Sequence, residues 1–344
     1  MGRSKKTDGT SDSPDLISAE LEKLGCRIFR NLEELKPDAF IPTGMFGFDR
    51  IISDQGGFPG NSVVEIYGPN STGKTSVALQ VAAKAQQMNM KVYYINSERA
   101  INPSIVKCFP ELDANKVEWI EPDNGESAIN IMTTILKLNP KSLIVNDSIP
   151  ACLPAAIDDG NAGDATVGAL ARLFSPFMPK AKRWCRENNC LLIQLNQERS
   201  KIGPMVRGGT EQPGGRAVKF YSDIRIKLTK RFKNGDIKVG EDIVGHIIEA
   251  KAVKTRWTSP FQTADLPLVY GSGFDIGREL LGCAELYGVV QKSGAWYSYF
   301  KEGADLKTDE PVYKAQGIDR MAAWIRQNEE VQIELADRMT ALLT

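Results

Sequence analysis

The chain has 344 residues, 42% hydrophobic and 25% charged, ordinary values for a globular protein with a large core. Lys plus Arg and Asp plus Glu each number 43, so the formal net charge is +0 and no global basicity advertises a polyanion partner. No apolar run approaches membrane-spanning length, and the six cysteines are dispersed without zinc spacing. The start Met-Gly-Arg-Ser-Lys-Lys lacks a signal peptide's apolar region, and Lys6 breaks the myristoylation pattern. A cytoplasmic protein in a reducing compartment, with no membrane partner, is predicted.

Residues 1–13 are mostly Gly, Ser, Thr, Asp and Lys without an apolar anchor, which predicts a disordered tail. Residues 14–40 form a short helix and strand element, in which Leu16, Ile17, Leu21 and Leu24 have helical spacing. It is too small to stand alone, so its apolar face is expected to dock on the core or on a neighbouring subunit.

The core is expected over residues 41–273. Its most telling stretch is Gly68-Pro69-Asn70-Ser71-Thr72-Gly73-Lys74-Thr75, behind the apolar run Val63 to Tyr67 and ahead of Val77 to Ala83. Strand, glycine-rich turn and helix are the context of a phosphate-binding loop. Glycine at 68 and 73 lets successive N–H groups point inward, and the following helix adds its positive end. Lys74 would reach the β- and γ-phosphates of a nucleoside triphosphate, and Thr75 would place its hydroxyl on Mg²⁺.

Beyond the loop, strands and helices alternate. Val92–Asn96, Ser142–Asp147 and Cys190–Asn196 read as strands, and Ala128–Leu138 has helical periodicity. The alternation predicts an α/β fold whose mostly parallel sheet is covered by helices on both faces. Ligands bind such sheets at the carboxyl ends of the strands. Asp147, Glu98 and Gln197 stand there, suited to support Mg²⁺, to orient the attacking water and to detect the γ-phosphate. Taken singly, each could equally be an ordinary turn residue at a strand end.

From Arg199 to Arg256 there are 14 Lys/Arg against 6 Asp/Glu, whereas Phe274 to Thr344 has 8 against 12. The glycine-rich stretch 198–215 combines Arg199, Lys201 and Arg207, which suit phosphates, with Gly203, Gly214 and Gly215, which suit close backbone approach. Ile202 is suited to wedge between bases. His246, the only histidine, lies in the apolar stretch Ile243–Ile248 and reads as structural.

With further blocks added, the chain resembles the RecA family of bacterial and phage homologous recombinases from about Ile41 to Leu342. The blocks include Tyr94 to Ala100, Leu195 to Gly203, Gly214 to Tyr221 and Gly294-Ala-Trp-Tyr-Ser-Tyr. A ring helicase motor shares the phosphate loop but not these later blocks. The resemblance implies a RecA-type P-loop NTPase core, a short N-terminal helical element and a small α+β domain at 274–344. It also implies an ATP- and Mg²⁺-dependent enzyme that forms a helical filament on single-stranded DNA and exchanges strands with double-stranded DNA. The alternative is a RecA-like accessory or regulatory ATPase that exchanges strands poorly.

By the same resemblance Glu98 is the catalytic base, Asp147 the magnesium carboxylate and Gln197 the γ-phosphate sensor. Asn102 and Tyr270 are assigned to the nucleotide. DNA loops are expected at about Ala156–Gly168 and Glu198–Gly215, with Arg172, Ser175 and Arg216 also on DNA. Lys254 and Arg256 match a cation pair that reaches a neighbour's ATP, with arginine where lysine is usual. Other departures are Asn96, where an acidic residue is usual, Ile105 at the adenine-stacking tyrosine position, Pro179 for a basic residue and Val167 for a larger apolar one. The leading helix is short and no long acidic tail precedes Thr344. These departures mark a divergent member.

Overall fold

The computed structural model describes residues 14–25, 28–29, 31–158, 168–200, 210–306 and 308–343. The expectations for residues 1–13, Val167, Lys201, Ile202, Gly203 and Arg207 lie outside the described residues. The chain divides into a small unit ending at Pro37 and a large one from Asp38 to Thr344. The small unit holds helix α1 (Pro14–Lys23) and a 3₁₀ turn at Glu33–Leu35. The expected boundary after residue 40 therefore moves toward the N-terminus. Phe40–Ile41 pairs antiparallel with Phe58–Pro59, which commits residue 40 to the large unit.

The large unit is built on a ten-stranded sheet. Its strands are β1 (Val63–Gly68), β2 (Lys91–Ile95), β3 (Val117–Ile120), β4 (Ser142–Asn146), β5 (Leu191–Gln197), β6 (Ile224–Lys230), β7 (Asp236–Val239), β8 (Asp242–Lys254), β9 (Thr263–Val269) and β10 (Gly273–Phe274). The order is β10-β9-β8-β6-β1-β5-β4-β2-β3, with β7 on β8. Strands from β3 to β6 are parallel; β8, β9 and β10 continue antiparallel.

The near-continuous apolar runs follow from burial on both faces. Val64, Ile66, Val145, Ile193 and Leu195 join one core with helices α2 (Phe46–Ile52) and α3 (Lys74–Gln87). Val63, Ile144 and Leu192 point the other way, toward α4 (Gly125–Leu138) and α5 (Ala169–Asn188). Helix α6 (Gly215–Tyr221) adds Val218 to that second core. Asn124 caps α4, accepting a hydrogen bond from Ser127 N at 2.9 Å, so the helix starts three residues before its apolar periodicity does.

After β10 come α7 (Ile276–Leu286), a three-stranded antiparallel sheet, α8 (Ile318–Gln327) and α9 (Glu329–Ala341). Leu281, Tyr299, Met321, Ile325 and Leu335 give this α+β region its own core. Phe274 still belongs to the main core, so the region is seated on the large sheet rather than strung from it.

One buried carboxylate, Glu279, holds that seat, and a second, Asp49, braces the turn before α2 beside it. Glu279 of α7 accepts from the backbone N–H groups of Phe46 at 3.0 Å and Gly47 at 2.7 Å, at the start of α2. Asp49 accepts from Thr43 N and Oγ1, each at 2.8 Å, and from Gly44 N at 3.1 Å. Burial pushes Glu279 up to about 8 and Asp49 up to about 7, above the usual carboxylate range near 4. The folded state then holds protons that the unfolded chain has released, so the stability they contribute is full below about pH 4 and is lost as pH rises through about 7 to 8. The melting temperature is expected to fall between about pH 5 and pH 9, with a shallower slope in Glu279→Gln. Thermal unfolding followed across that range checks this; parallel slopes for the two proteins would count against it.

Candidate active site

The phosphate loop leaves β1 at the position where neighbouring connections run to opposite sides, between β5 and β6. At Gly68 a Cβ would lie 2.1 Å from Leu228 O, so only glycine lets the strand pass there. Gly73 has φ of 74°, and a Cβ on it would meet Ile248 Cδ1 at 2.5 Å. Thr72 Oγ1 donates to Pro69 O at 2.9 Å and fixes the turn. Lys74 Nζ donates to Pro69 O at 2.7 Å and Gly68 O at 3.3 Å. Burial holds its pKa below the usual lysine value, and the charges of Asp147 and Glu98 pull it back.

Thr75 Oγ1 donates to Asp147 Oδ2 at 2.9 Å, and the buried Tyr94 hydroxyl donates to the same oxygen at 2.6 Å. Burial pushes the Asp147 carboxyl above its ordinary value. The two hydrogen bonds oppose that, each worth roughly 1.5–3 kcal/mol to a charged acceptor. Glu98 N donates to Asp147 O at 2.9 Å, and Glu98 Oε2 accepts from Ser148 Oγ at 3.0 Å. Lys74, Thr75, Glu98 and Asp147 thus converge, with the Glu98 side chain exposed to solvent.

Asn96 has a physical reason. Its Oδ1 accepts from Ala100 N at 3.1 Å and its Nδ2 donates to Glu121 Oε1 at 2.9 Å. A carboxylate at 96 would brace the turn equally but face Glu121 with a like charge. Arg99, at φ 53°, turns the chain immediately after Glu98. Asn102 Oδ1 caps the short helix Pro103–Val106, accepting from Ser104 N at 3.0 Å and Ile105 N at 3.2 Å. Ile105 packs on the main core.

Gln197 ends β5, its N–H bonded to Asn196 Oδ1 at 2.9 Å. Asn196 Nδ2 donates to Glu65 Oε1 at 2.8 Å and Pro213 O at 3.0 Å, and Glu65 is paired with Arg225 at 2.5 Å. Glu198 N donates to Gly68 O at 3.1 Å. One end of the stretch 198–213 is therefore hydrogen-bonded to the strand that carries the phosphate loop, and the other reaches that strand through Asn196 of β5. Tyr94, Ser148, Glu65 and Asn196 were not singled out from sequence. Tyr94 and Glu65 read there as strand interior, and only the pairing of β1, β2, β4 and β5 reveals their partners.

Arg199 lies in a two-residue strand paired with Thr210–Glu211. Arg172, Ser175 and Arg216 are exposed, on the first turns of α5 and α6. Ser175 Oγ donates to Ala171 O within α5. Gly214 and Gly215 have a structural use besides the one expected: both have positive φ, and a Cβ on Gly215 would lie 2.7 Å from Ala171 Cβ. Pro179 sits inside α5. Lys254 Nζ donates to Phe220 O at 2.8 Å, Lys219 O at 3.2 Å and Ser222 O at 2.5 Å, closing the C-terminus of α6. Burial and then Arg256 lower its pKa. Arg256 is exposed, as is Phe220 at the end of α6. Tyr270 stands beside Pro69–Thr72 across a cleft.

Glycines 68 and 73 let the loop curl tightly where β6 and β8 crowd it, and Thr75 and Asp147 offer paired hard oxygen donors. These fit the phosphates of a nucleotide and a Mg²⁺ ion, which keeps waters and phosphate oxygens among its ligands. Among the described residues no cluster of three or more His, Cys, Asp or Glu could hold a metal unaided. Cys108, Cys152, Cys185, Cys190 and Cys283 are free thiols, and no described helix is long and apolar enough to cross a membrane.

Residues 27–275 match the family model of the RecA N-terminal domain. The chain is 35% identical over 306 residues to Protein RecA of Symbiobacterium thermophilum, covering 87% of this chain and 82% of that protein. It is also 35% identical over 301 residues to Protein RecA of Pseudomonas fluorescens, covering 87% and 81%. Among solved structures the RadB recombinase aligns with a TM-score of 0.50 at 19% identity, over 68% of this chain and 98% of that one, a likeness of fold.

Proposed function

Because the chain belongs to the RecA family, we propose that it is an ATP-dependent recombinase that assembles on single-stranded DNA, hydrolyses ATP when DNA is bound and exchanges strands. What supports the reading most is the double tether of residues 198–213. Gly68 O accepts from Lys74 Nζ and from Glu198 N–H, while Asn196 links Glu65 of the same strand to Pro213. A change in the phosphate loop on nucleotide binding reaches both ends of the basic stretch through hydrogen bonds alone.

In this proposal Lys74 and the loop N–H groups bind the triphosphate, and Thr75 and Asp147 would hold Mg²⁺, which neutralises phosphate charge. Tyr94 keeps the Asp147 carboxylate aimed at that place. Glu98 orients a water for attack on the γ-phosphorus and takes its proton as the new P–O bond forms and the bridging bond to the β-phosphate breaks. Ser148 fixes the Glu98 carboxylate by its 3.0 Å hydrogen bond.

Arg199, Lys201 and Arg207 are the proposed phosphate contacts on DNA. Affinity for single strands should fall steeply with salt and depend little on sequence, because backbone contacts release counterions and carry no base code. Replacing all three by Ala is expected to flatten the slope of log affinity against log salt by about 2. Filter binding across a salt series reads this; an unaltered slope would remove the stretch from the DNA interface. A strand-exchange assay alongside separates a recombinase from an accessory ATPase.

A further inference from the structure

A chain of polar side chains interrupts the apolar layer under α4 and α5. Asn146 at the end of β4 and Gln194 in β5 stand side by side in the parallel register, and both are fully buried. They share a face with Ile144 and Leu192 by the alternation of a strand, within the second core. Asn146 Nδ2 donates to Gln194 Oε1 at 2.7 Å, and Asn146 Oδ1 accepts from Ser97 Oγ at 3.0 Å. Gln194 Nε2 in turn donates to Met132 Sδ of α4 at 3.3 Å. The buried thiol of Cys152 lies 3.5 Å from both Ser97 Oγ and Ser148 O.

Stability does not account for these amides. Apolar side chains of the same shape in place of a buried hydrogen-bonded pair are nearly neutral or stabilising, so the use of such a network lies in the geometry it fixes. Its members adjoin the candidate site. Ser97 immediately precedes Glu98, Asn146 immediately precedes Asp147, and Cys152 touches the carbonyl of Ser148, whose hydroxyl bonds Glu98. The Glu98 side chain is exposed, so the turn that carries it has to be held from below. Asn96 braces that turn at Ala100, and the Ser97 hydroxyl bonds it across to β4, whose Asn146 pairs with Ile95 of β2 in register. The position between Ser97 and Gln194 calls for an acceptor on one side and a donor on the other. An amide offers both, a carboxylate offers no donor and an aliphatic side chain offers neither.

We propose that Asn146 is a positioning residue for the hydrolytic step: through Ser97 it sets the Glu98 carboxylate against Asp147, while Gln194 holds the amide in the orientation that meets both neighbours. The proposal rests on the reading of Glu98 as the base. Lys74 and Thr75 belong to α3, which packs in the first core on the opposite face of the sheet. Damage to the Ser97–Asn146 bond therefore acts on the turn that carries Glu98 and leaves the phosphate loop in place, so it shows in turnover rather than in nucleotide affinity.

The test is ATP hydrolysis on single-stranded DNA at saturating ATP, beside ADP affinity by calorimetry and thermal unfolding of the full chain. Ser97→Ala and Asn146→Leu are each expected to lower kcat about tenfold with ADP affinity unchanged, and the two together to cost no more than either alone, since both break one bond. Ser97→Thr keeps the hydroxyl and should keep the rate. Asn146→Leu/Gln194→Leu separates positioning from support: with the amide pair replaced by apolar side chains, the melting temperature should return toward the parent value while kcat stays low. Recovery of kcat along with stability would make the network structural only and overturn the proposal. Parent-like kcat in Ser97→Ala would overturn it too, and that half-buried site disturbs the fold least. A parent chain that does not hydrolyse ATP, or normal turnover in Glu98→Gln, would overturn the reading of Glu98 and this one with it.

Discussion

Glu98→Gln is expected to bind ATP as tightly as the parent and to lose turnover by about 10²–10⁴-fold, the usual contribution of a positioned general base. The substitution keeps the side chain's shape and its acceptor for Ser148 Oγ, now at 3.0 Å from Glu98 Oε2, while removing the group proposed to take the water's proton. The fold has little reason to notice, because Glu98 is exposed and its backbone N–H, not its carboxylate, bonds Asp147 O. Lys74→Ala should fail one step earlier. In the proposed site its ammonium is the point charge facing the phosphates, so nucleotide binding itself should be lost. Equilibrium binding of a fluorescent ATP analogue beside steady-state hydrolysis separates the two variants. Normal turnover in Glu98→Gln would move the base to another carboxylate.

The second large effect concerns Lys254 and Arg256. If they serve a neighbouring subunit's ATP, hydrolysis requires two subunits at each site, one supplying Glu98 and the other the cations. Alone, Lys254→Ala/Arg256→Ala and Glu98→Gln should each be inactive. Mixed on single-stranded DNA, some junctions would pair an intact Glu98 with an intact cation pair, and part of the ATPase should return. One control is essential. Lys254 Nζ closes the end of α6 by bonds to the carbonyls of Lys219, Phe220 and Ser222, so its loss disturbs that helix as well. Arg256 is exposed, and Arg256→Ala is the cleaner partner for the mixture. Mixed filaments that bind DNA yet show no recovery at any ratio would place the cations in cis or outside the chemistry.

The parts of the fold and site that could be read from sequence are those governed by local rules. The phosphate loop needs glycine at 68 and 73 because a backbone carbonyl and an isoleucine crowd those positions, and the motif records that crowding directly. The placement of Asp147, Glu98 and Gln197 at one edge of the sheet was legible because the strand ends of a parallel sheet form one edge, while their roles belong to the proposed function. What escaped depends on which strands become neighbours. Tyr94 reads as core until β2 and β4 pair and bring its hydroxyl to Asp147. Asn96 reads as a departure until Glu121 arrives from the end of β3, and then the neutral amide is the residue that fits. The boundary near residue 40 slipped for the same reason, since Phe40 is committed by pairing with Pro59.

ATP hydrolysis by the purified chain, measured with and without single-stranded DNA, tests the proposed coupling most directly. The bonds from Gly68 to Glu198 and from Glu65 through Asn196 to Pro213 tie both ends of the stretch 198–213 to the strand that carries the phosphate loop. DNA should therefore raise the hydrolysis rate severalfold or more, and Glu98→Gln should abolish the stimulated rate. Equal rates with and without DNA, under conditions where DNA is shown to be bound, would contradict the account.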